Sequence, residues 1–433
     1  MKNIRSLFFW FIDRLKGSPV KRHYDEVKFI NECFDKAEAR KQREASLQKL
    51  LDYAVHTIPF YQNYTGLNVL SDFPVIDKNI IRDNSEKFLS PDYKFTSLKK
   101  MTTSGSTGTP FTVYHDKNKV KRSIADFIYA YKMAHYAFGN RIYKLKGLHD
   151  HNRKNRLELI AKNIIENDTA DLSKEGIVRF LKTIAKYRSK KMLMGYASSY
   201  TAIARNTEKD DIKNIGVDCI ITGAESLPLA VKDKLKYLFE CPVYSRYSNM
   251  ENGFLAQQCD NHSEEFHLNV ASYYFEILSF DNDLPVKSGE KGRIVVTDLF
   301  NYAMPLIRYD TGDVAVYDEK AKCSLKTPVF KTIEGRIRDF LIDTNGKLLS
   351  PGAISTAMWR YSEVLQYQFI QEGEKKFTIK LNCRDKFNRE RPLIEDIKKQ
   401  VGSDAIIDIV YVSEIPLLKS GKRKYIINNY KTS

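Results

Sequence analysis

The chain has 433 residues, 42% hydrophobic and 12% aromatic, so it can bury a large core, should divide into two or more domains, and is not wholly disordered. Its 70 basic and 54 acidic residues leave a formal charge of +16, which suits anionic partners such as nucleotides, coenzyme A or an anionic membrane surface; both signs are interspersed and no nucleic-acid module is recognisable, which argues against nucleic acid. The six cysteines (Cys33, Cys219, Cys241, Cys259, Cys323 and Cys383) are too scattered for a disulfide framework, and a reducing cytoplasm is the expected setting.

Met1 to Lys16 contains the apolar run Leu7-Phe8-Phe9-Trp10-Phe11-Ile12 between basic residues. It is too short to span a bilayer and lacks a small-residue cleavage site. Two readings stay open: an amphipathic helix packed on the body, or one resting on a membrane surface beside Arg14, Lys16, Lys21 and Arg22. From Asp25 to His56 apolar residues at helical spacing predict two or three surface helices, and Leu67 to Lys100, with Pro74 and Pro91, reads as a connection.

That connection leads into Thr102-Thr103-Ser104-Gly105-Ser106-Thr107-Gly108-Thr109-Pro110, followed by Phe111-Thr112-Val113. Two glycines and several hydroxyls ahead of a β-branched run describe a hairpin-like loop that offers backbone N–H groups to an anion. No Gly-Lys-Ser/Thr closes it, so it is not a Walker loop, and a plain flexible loop is the alternative. Lys119 to Phe138, without Pro or Gly, predicts a long helix packed behind the loop.

Helix and strand then alternate: helix 174–187 before strand 191–196, helix 199–206 before strand 217–223, helix 229–239 before strand 243–247. This predicts a parallel sheet covered by helices, with Gly195, Gly223-Ala224-Glu225 and Tyr247-Ser248-Asn249-Met250-Glu251 at carboxyl ends of strands, facing one crevice. Alternating strands follow at 273–278, 292–297 and 314–317. From Asp339 onward a small α+β domain is expected, with an Asn345-Gly346 hairpin, helices at 354–361 and 393–401, and strands at 367–371, 377–381 and 406–412.

Taken in order, the loop, Thr222-Gly223-Ala224-Glu225, Tyr247 to Glu251, Pro305 to Asp313 with its Arg-Tyr-Asp-Thr-Gly-Asp, Gly335-Arg336-Ile337-Arg338-Asp339, and Ser420-Gly421-Lys422 resemble the adenylate-forming (AMP-binding) superfamily. The resemblance is closest to its phenylacetate-CoA ligase, coenzyme F390 synthetase and CapK-type branch. It covers nearly the whole chain. It implies an acyl-CoA synthetase-like α/β fold: an N-terminal adenylation domain at 1–335 with a largely helical lead-in at 1–100, helix-covered mostly parallel sheets and a β-rich portion; a hinge at 336–339; and a small mobile α+β domain at 340–433.

The resemblance also implies roles. Thr103, Ser104, Gly105, Ser106, Thr107 and Gly108 would hold the β- and γ-phosphates of ATP. Gly223, Ala224 and Glu225 would flank adenine, with Tyr247 as a flat surface beside Ser248 and Asn249. Asp313 would accept hydrogen bonds from the ribose, and Arg336 would reach the sugar or phosphate. Glu251 would hold Mg²⁺, a solvated glutamate at a helix start being the alternative. Lys422 would meet the carboxylate and α-phosphate oxygens as charge builds. Arg338 stands at the pivot, where the family usually has Asp or Lys.

Two departures stand out: Met250 replaces a Thr or Ser, and the zinc set of close relatives is altered, with Cys259, His262, His267 and Cys323 in comparable places but Ala321 where a further Cys would stand. The expected activity is ATP- and Mg²⁺-dependent activation of a carboxylic acid as acyl-AMP, then transfer to CoA. An amide-forming ligase of capsule or O-antigen synthesis and a silent nucleotide-binding scaffold are the alternatives, and a homodimer and a peripheral membrane contact through Met1 to Lys16 are compatible with it.

Overall fold

A computed structural model describes residues 3–67, 69–103, 111–146, 155–168, 172–212, 215–259, 264–416, 418 and 423–430. The chain forms two compact units, one from residues 1–139 and 244–333 and the other from 140–243 and 334–433.

The first unit opens with α1 (Ile4–Leu15), α2 (Pro19–Glu32) and α3 (Ala37–Thr57). The connection holds one short helix, α4 (Lys78–Asp83), started by the Asp77 carboxylate, which accepts the N–H groups of Asn79 and Ile80. The expected hairpin is present: β1 (Lys99–Thr103) pairs antiparallel with β2 (Phe111–His115), closing on Thr103 opposite Phe111. The following helix, α5 (Lys117–Met133), begins at the Asp116 cap and ends before the expected Phe138, because the chain turns at His135 with φ of +53°.

The β-rich half of this unit comprises β7 (Val243–Asn249, its first residue belonging to the second unit), β8 (Gly253–Gln258), β9 (Phe266–Leu268), β10 (Tyr273–Leu278), β11 (Lys291–Asp298), β12 (Tyr309–Asp318) and β13 (Val329–Arg336, its last three residues in the second unit), in the order β10-β11-β12-β13-β9-β8-β7. Leu50 and Leu51 of α3, Phe73, Ile76, Phe88, Phe111 and Val113 share a core with Leu306, Ile307 and Tyr309, so the lead-in, the hairpin and the start of β12 are packed together. Arg308 secures this seam from a left-handed backbone (φ +50°), giving hydrogen bonds to the carbonyls of Ser71 (2.9 Å) and Phe73 (2.7 Å) and pairing with Glu276.

The second unit holds β3 (Arg141–Lys146), α6 (Arg156–Lys162), β4 (Ile164–Asp168), α7 (Lys174–Ala185), β5 (Lys191–Tyr196), α8 (Ala197–Asn206), β6 (Cys219–Gly223) and α9 (Leu229–Phe239). The strands run β6-β5-β3-β4 and all pair in parallel; the alternation predicts β5 and β6, and β3 and β4 are strands that it does not contain. Gly195 is required where β5 passes β3, since a Cβ there would stand 2.6 Å from the Leu145 carbonyl oxygen.

The rest of this unit is α+β: the hairpin β14 (Leu341–Ile342) and β15 (Leu348–Leu349), then α10 (Pro351–Trp359), β16 (Val364–Gln371), β17 (Lys376–Cys383), α11 (Glu390–Val401), β18 (Ile406–Tyr411) and β19 (Ile426–Asn428), with sheet order β18-β17-β16-β19. Phe369, Ile379 and Leu381 of the sheet pack on Met358, Leu393 and Ile397 of its helices.

Candidate active site

In the first unit the hairpin β1–β2 presents the Ser/Thr/Gly loop. Thr103 is its last described residue; Ser104, Gly105, Ser106, Thr107 and Gly108 lie outside the described residues. Just past the loop, the Phe111 ring lies parallel to Tyr309, with centroids 6.5 Å apart, and the Lys78 ammonium stands 5.6 Å from the Phe111 ring centre.

Glu251 occupies the tight turn between β7 and β8 and is 2% exposed, so it is not a solvated glutamate at a helix start. Its Oε1 meets Lys78 Nζ at 2.6 Å and accepts a hydrogen bond from the Tyr309 hydroxyl at 3.1 Å. Burial and the neighbouring Glu251 carboxylate push the Tyr309 phenol well above its ordinary pKa, which keeps it a donor. The Glu251 carbonyl lies 2.7 Å from His115 Nε2. Burial, helped by Lys119, lowers that imidazole to about 4, so at neutral pH it is uncharged and can donate this bond. Lys119 is itself buried and paired with Asp298 at 2.6 Å. The turn that carries Glu251 is thus braced from α4, β2 and β12 together.

Tyr247 and Asp313 are brought together four residues upstream of that turn. The Tyr247 hydroxyl gives a hydrogen bond to Asp313 Oδ2 at 2.7 Å and lies 3.3 Å from Thr311 Oγ1, which also accepts the Asp313 N–H at 3.2 Å. Burial and Asp313 hold this phenol protonated. Ser248 is exposed, the Asn249 amide oxygen accepts the Asn252 N–H at 2.8 Å, and Met250 is 47% exposed.

The remaining expected positions belong to the second unit. Gly223 ends β6, and Ala224 takes φ of +67°. The Glu225 side chain turns to the start of α8, where Oε2 accepts the Ser198 N–H at 2.9 Å; Tyr196, the cap residue, supplies no side-chain bond, so Glu225 closes that helix end from outside. Arg336 ends β13, half-buried, and Arg338 follows in the short 3₁₀ turn Ile337–Asp339. Lys422 lies outside the described residues; its neighbour Lys424 pairs with Asp339 at 3.5 Å.

Residues 341–429 match the family described as the CapK C-terminal domain. The Protein CapK of Staphylococcus aureus is 26% identical over 96% of this chain and 94% of its own length, and the phenylacetate-coenzyme A ligase of Thermus thermophilus is 23% identical over 87% of each. Along nearly its whole length the chain is similar to CapK-type and phenylacetate-CoA ligase proteins of the adenylate-forming superfamily. The fold agrees: a 2-hydroxyisobutyryl-CoA ligase, solved in its postadenylation state with 2-HIB-AMP, superposes with a TM-score of 0.70 over 90% of each chain at 15% identity.

The first unit also brings together two thiols and an imidazole. The ligand atoms of Cys259, His267 and Cys323 all lie within 4.8 Å of one another. Each sulfur is beside His267 Nε2, at 3.3 Å for Cys259 and 3.1 Å for Cys323, while the other ring nitrogen lies 3.0 Å from Thr327 Oγ1. That second bond orients the ring toward the thiols, as outer partners of metal-bound histidines do. His262 lies outside the described residues.

In this candidate site, Lys78 and His115 are marked by nothing in the sequence. Lys78 sits in a short polar helix within a segment that reads as a linker, and no local pattern marks it; only its nearness to the loop's far end in space reveals it. Tyr309 was contained in the Pro305–Asp313 motif, but nothing in the string connects its hydroxyl to Glu251.

Proposed function

We propose that this chain is a ligase that uses ATP to activate a carboxylic acid as its acyl-adenylate and passes the acyl group to CoA. The observation that carries this reading is the buried Glu251 carboxylate, held by Lys78 and Tyr309 at the foot of the Ser/Thr/Gly hairpin. Joining a carboxylate to the α-phosphate of ATP brings two anions together, and the site must position them and neutralise charge as pyrophosphate leaves.

In this reading Thr103, Ser104, Ser106, Thr107 and the loop amides hold the β- and γ-phosphates. Asp313, oriented by Tyr247 and Thr311, accepts from the ribose hydroxyls; Gly223 and Ala224 flank adenine; Arg336 reaches the sugar or phosphate; Lys422 meets the reacting oxygens. The donor set at Glu251 suits Mg²⁺: a single hard carboxylate, already facing a cation, which the phosphate oxygens of ATP would complete. Bound there, the ion would neutralise phosphate charge. Glu225 contributes backbone to the adenine side, since its carboxylate is engaged at α8. Cys259, His267 and Cys323 fit a structural zinc, with His262 or water as the fourth ligand, tying β8 and β9 to the segment before β13.

The Thermus relative's name as a phenylacetate-coenzyme A ligase supports CoA as acceptor. The likeness to Protein CapK leaves open a second reading, in which an amine attacks the adenylate and an amide forms during capsule or O-antigen synthesis. Carboxylate-dependent ATP–pyrophosphate exchange, screened over aromatic, fatty and amino acids, tests the first half-reaction. It should appear with the wild type and vanish with Lys422→Ala; no exchange with any acid from a folded protein would leave only the silent scaffold. Product mass after adding CoA or amines then separates thioester from amide.

A further inference from the structure

Helix α1 is fastened by one face. Asn3 caps it through Oδ1 on the Arg5 N–H at 2.9 Å. Near the other end the buried Asp13 carboxylate accepts the N–H groups of Val20 (3.0 Å) and Lys21 (2.9 Å), closing the start of α2, whose own cap residue Ser18 supplies no side-chain bond. Between these ends Phe9 packs edge-on against Phe138 at 4.9 Å, Trp10 leans on Tyr24 at 5.8 Å, and both rings pack on Val20, Ala125 and Ile128.

The opposite face is a stripe with nothing from the described residues over it. Ile4, Leu7, Phe8, Phe11 and Leu15 recur at helical spacing and are 81%, 50%, 65%, 57% and 69% exposed. Because Phe9, Trp10 and Asp13 hold the inner face, the helix cannot roll to bury them. An apolar stripe of this size on a folded surface marks a contact site. On a helical projection Arg5 and Arg14 flank the stripe on its two sides, with Lys16 just beyond its end, and all three are exposed. Asp13, the helix's one acidic residue, is turned inward.

We propose that the outer face of α1 docks on an anionic phospholipid bilayer, the helix lying flat at the headgroup level with Phe8, Phe11 and the aliphatic residues inserted and the arginines at the phosphates. Twelve residues cannot span a bilayer, and no described helix is long and apolar enough to cross one, so the mode is interfacial. Charge selects this occupant over a second copy of the chain. Two such stripes laid face to face would bring their arginine borders together, whereas an anionic surface satisfies the stripe and its borders at once. This docking is independent of the ligase reading.

The test is co-sedimentation of the full chain with vesicles of phosphatidylcholine alone and of phosphatidylcholine with phosphatidylglycerol. The wild type should bind the anionic vesicles preferentially and less at high salt. Phe8→Ser with Phe11→Ser should weaken partitioning about 100-fold, and Arg5→Glu with Arg14→Glu roughly 20-fold, both pairs melting like the wild type because the side chains are exposed. Failure of the wild type to bind anionic vesicles, or unchanged binding by the serine pair, overturns the proposal. So does a dimer seen by light scattering without lipid that the serine pair dissolves.

Discussion

Lys78, from the first turn of α4, meets Glu251, from the β7–β8 turn, at 2.6 Å across 173 positions of sequence. The ammonium also faces the Phe111 ring of the β1–β2 hairpin, so a cation stands between that hairpin and the buried carboxylate. The loop has no lysine of its own, and under the proposed function Lys78 would supply a positive charge beside it. Lys78→Ala should lower exchange on the order of 100-fold, as loss of one preorganised charge does, and Lys78→Arg should restore part of it. Equal exchange by wild type and Lys78→Ala would assign the pair to structure alone.

His115 sets a pH dependence of stability. Its folded pKa, about 4, lies below the ordinary 6.5, so above pH 6.5 both folded and unfolded states are neutral and the full stability is present. As pH falls from 6.5 towards 4 the unfolded chain takes up the proton first, and stability is lost, by up to about 3 kcal/mol at the low end. His23, lowered to about 4 mainly by burial, acts in the same direction. Urea midpoints measured across this window should fall for the wild type and fall less for His115→Gln; parallel curves would count against His115.

Arg205 ties α8 to the C-terminal α+β portion within the second unit. Its guanidinium gives hydrogen bonds to the carbonyls of Val364 and, at 3.4 Å, Met358, and lies 5.1 Å from the Trp359 ring centre. Arg384 adds a bond to Asn206 at 3.1 Å. Arg205→Ala leaves both carbonyls without this donor and should cost roughly 2 kcal/mol, read as a lower Tm and faster proteolysis within 334–433. Lysine should not rescue it, since one ammonium cannot reproduce the fork.

The thiol–imidazole set predicts bound zinc. Chelator-washed wild type should retain one zinc per chain by mass spectrometry, and Cys259→Ser or Cys323→Ser should lose it and melt earlier. Metal-free wild type that melts like Cys259→Ser would mean the three side chains pack without an ion.

Elements with one-sided chemistry were legible. The predicted bounds of α9 and β10 coincide with the observed ones: α9 is an amphipathic stretch between Pro228 and Glu240, and β10 a mostly apolar run. By contrast β8, Gly253–Gln258, was hidden by Gln257 and Gln258, polar residues that are fully buried and satisfied by the Ala130 and Glu264 carbonyls. The same limit applies at the site. Motif order singles out Tyr247, Glu251 and Asp313, but the contacts of Lys78 and His115 with Glu251 depend on tertiary proximity that no local periodicity encodes. Glu225 was read for adenine, and only the geometry at Ser198 reveals that its carboxylate ends a helix.

The core that unites Leu47–Val113 with Leu299–Tyr309 has a consequence for biogenesis. Its two halves are separated by roughly 200 residues, so at ribosomal speeds of about 5–20 residues per second the first half emerges some 10–40 s before the second. Through that interval Phe73 and Phe88 can pack on Tyr61 of their own half, but Phe111 lacks Tyr309 and the core lacks Leu306 and Ile307. The core is therefore completed only after synthesis reaches Tyr309, and the yield of folded protein should depend on how long translation takes to get there.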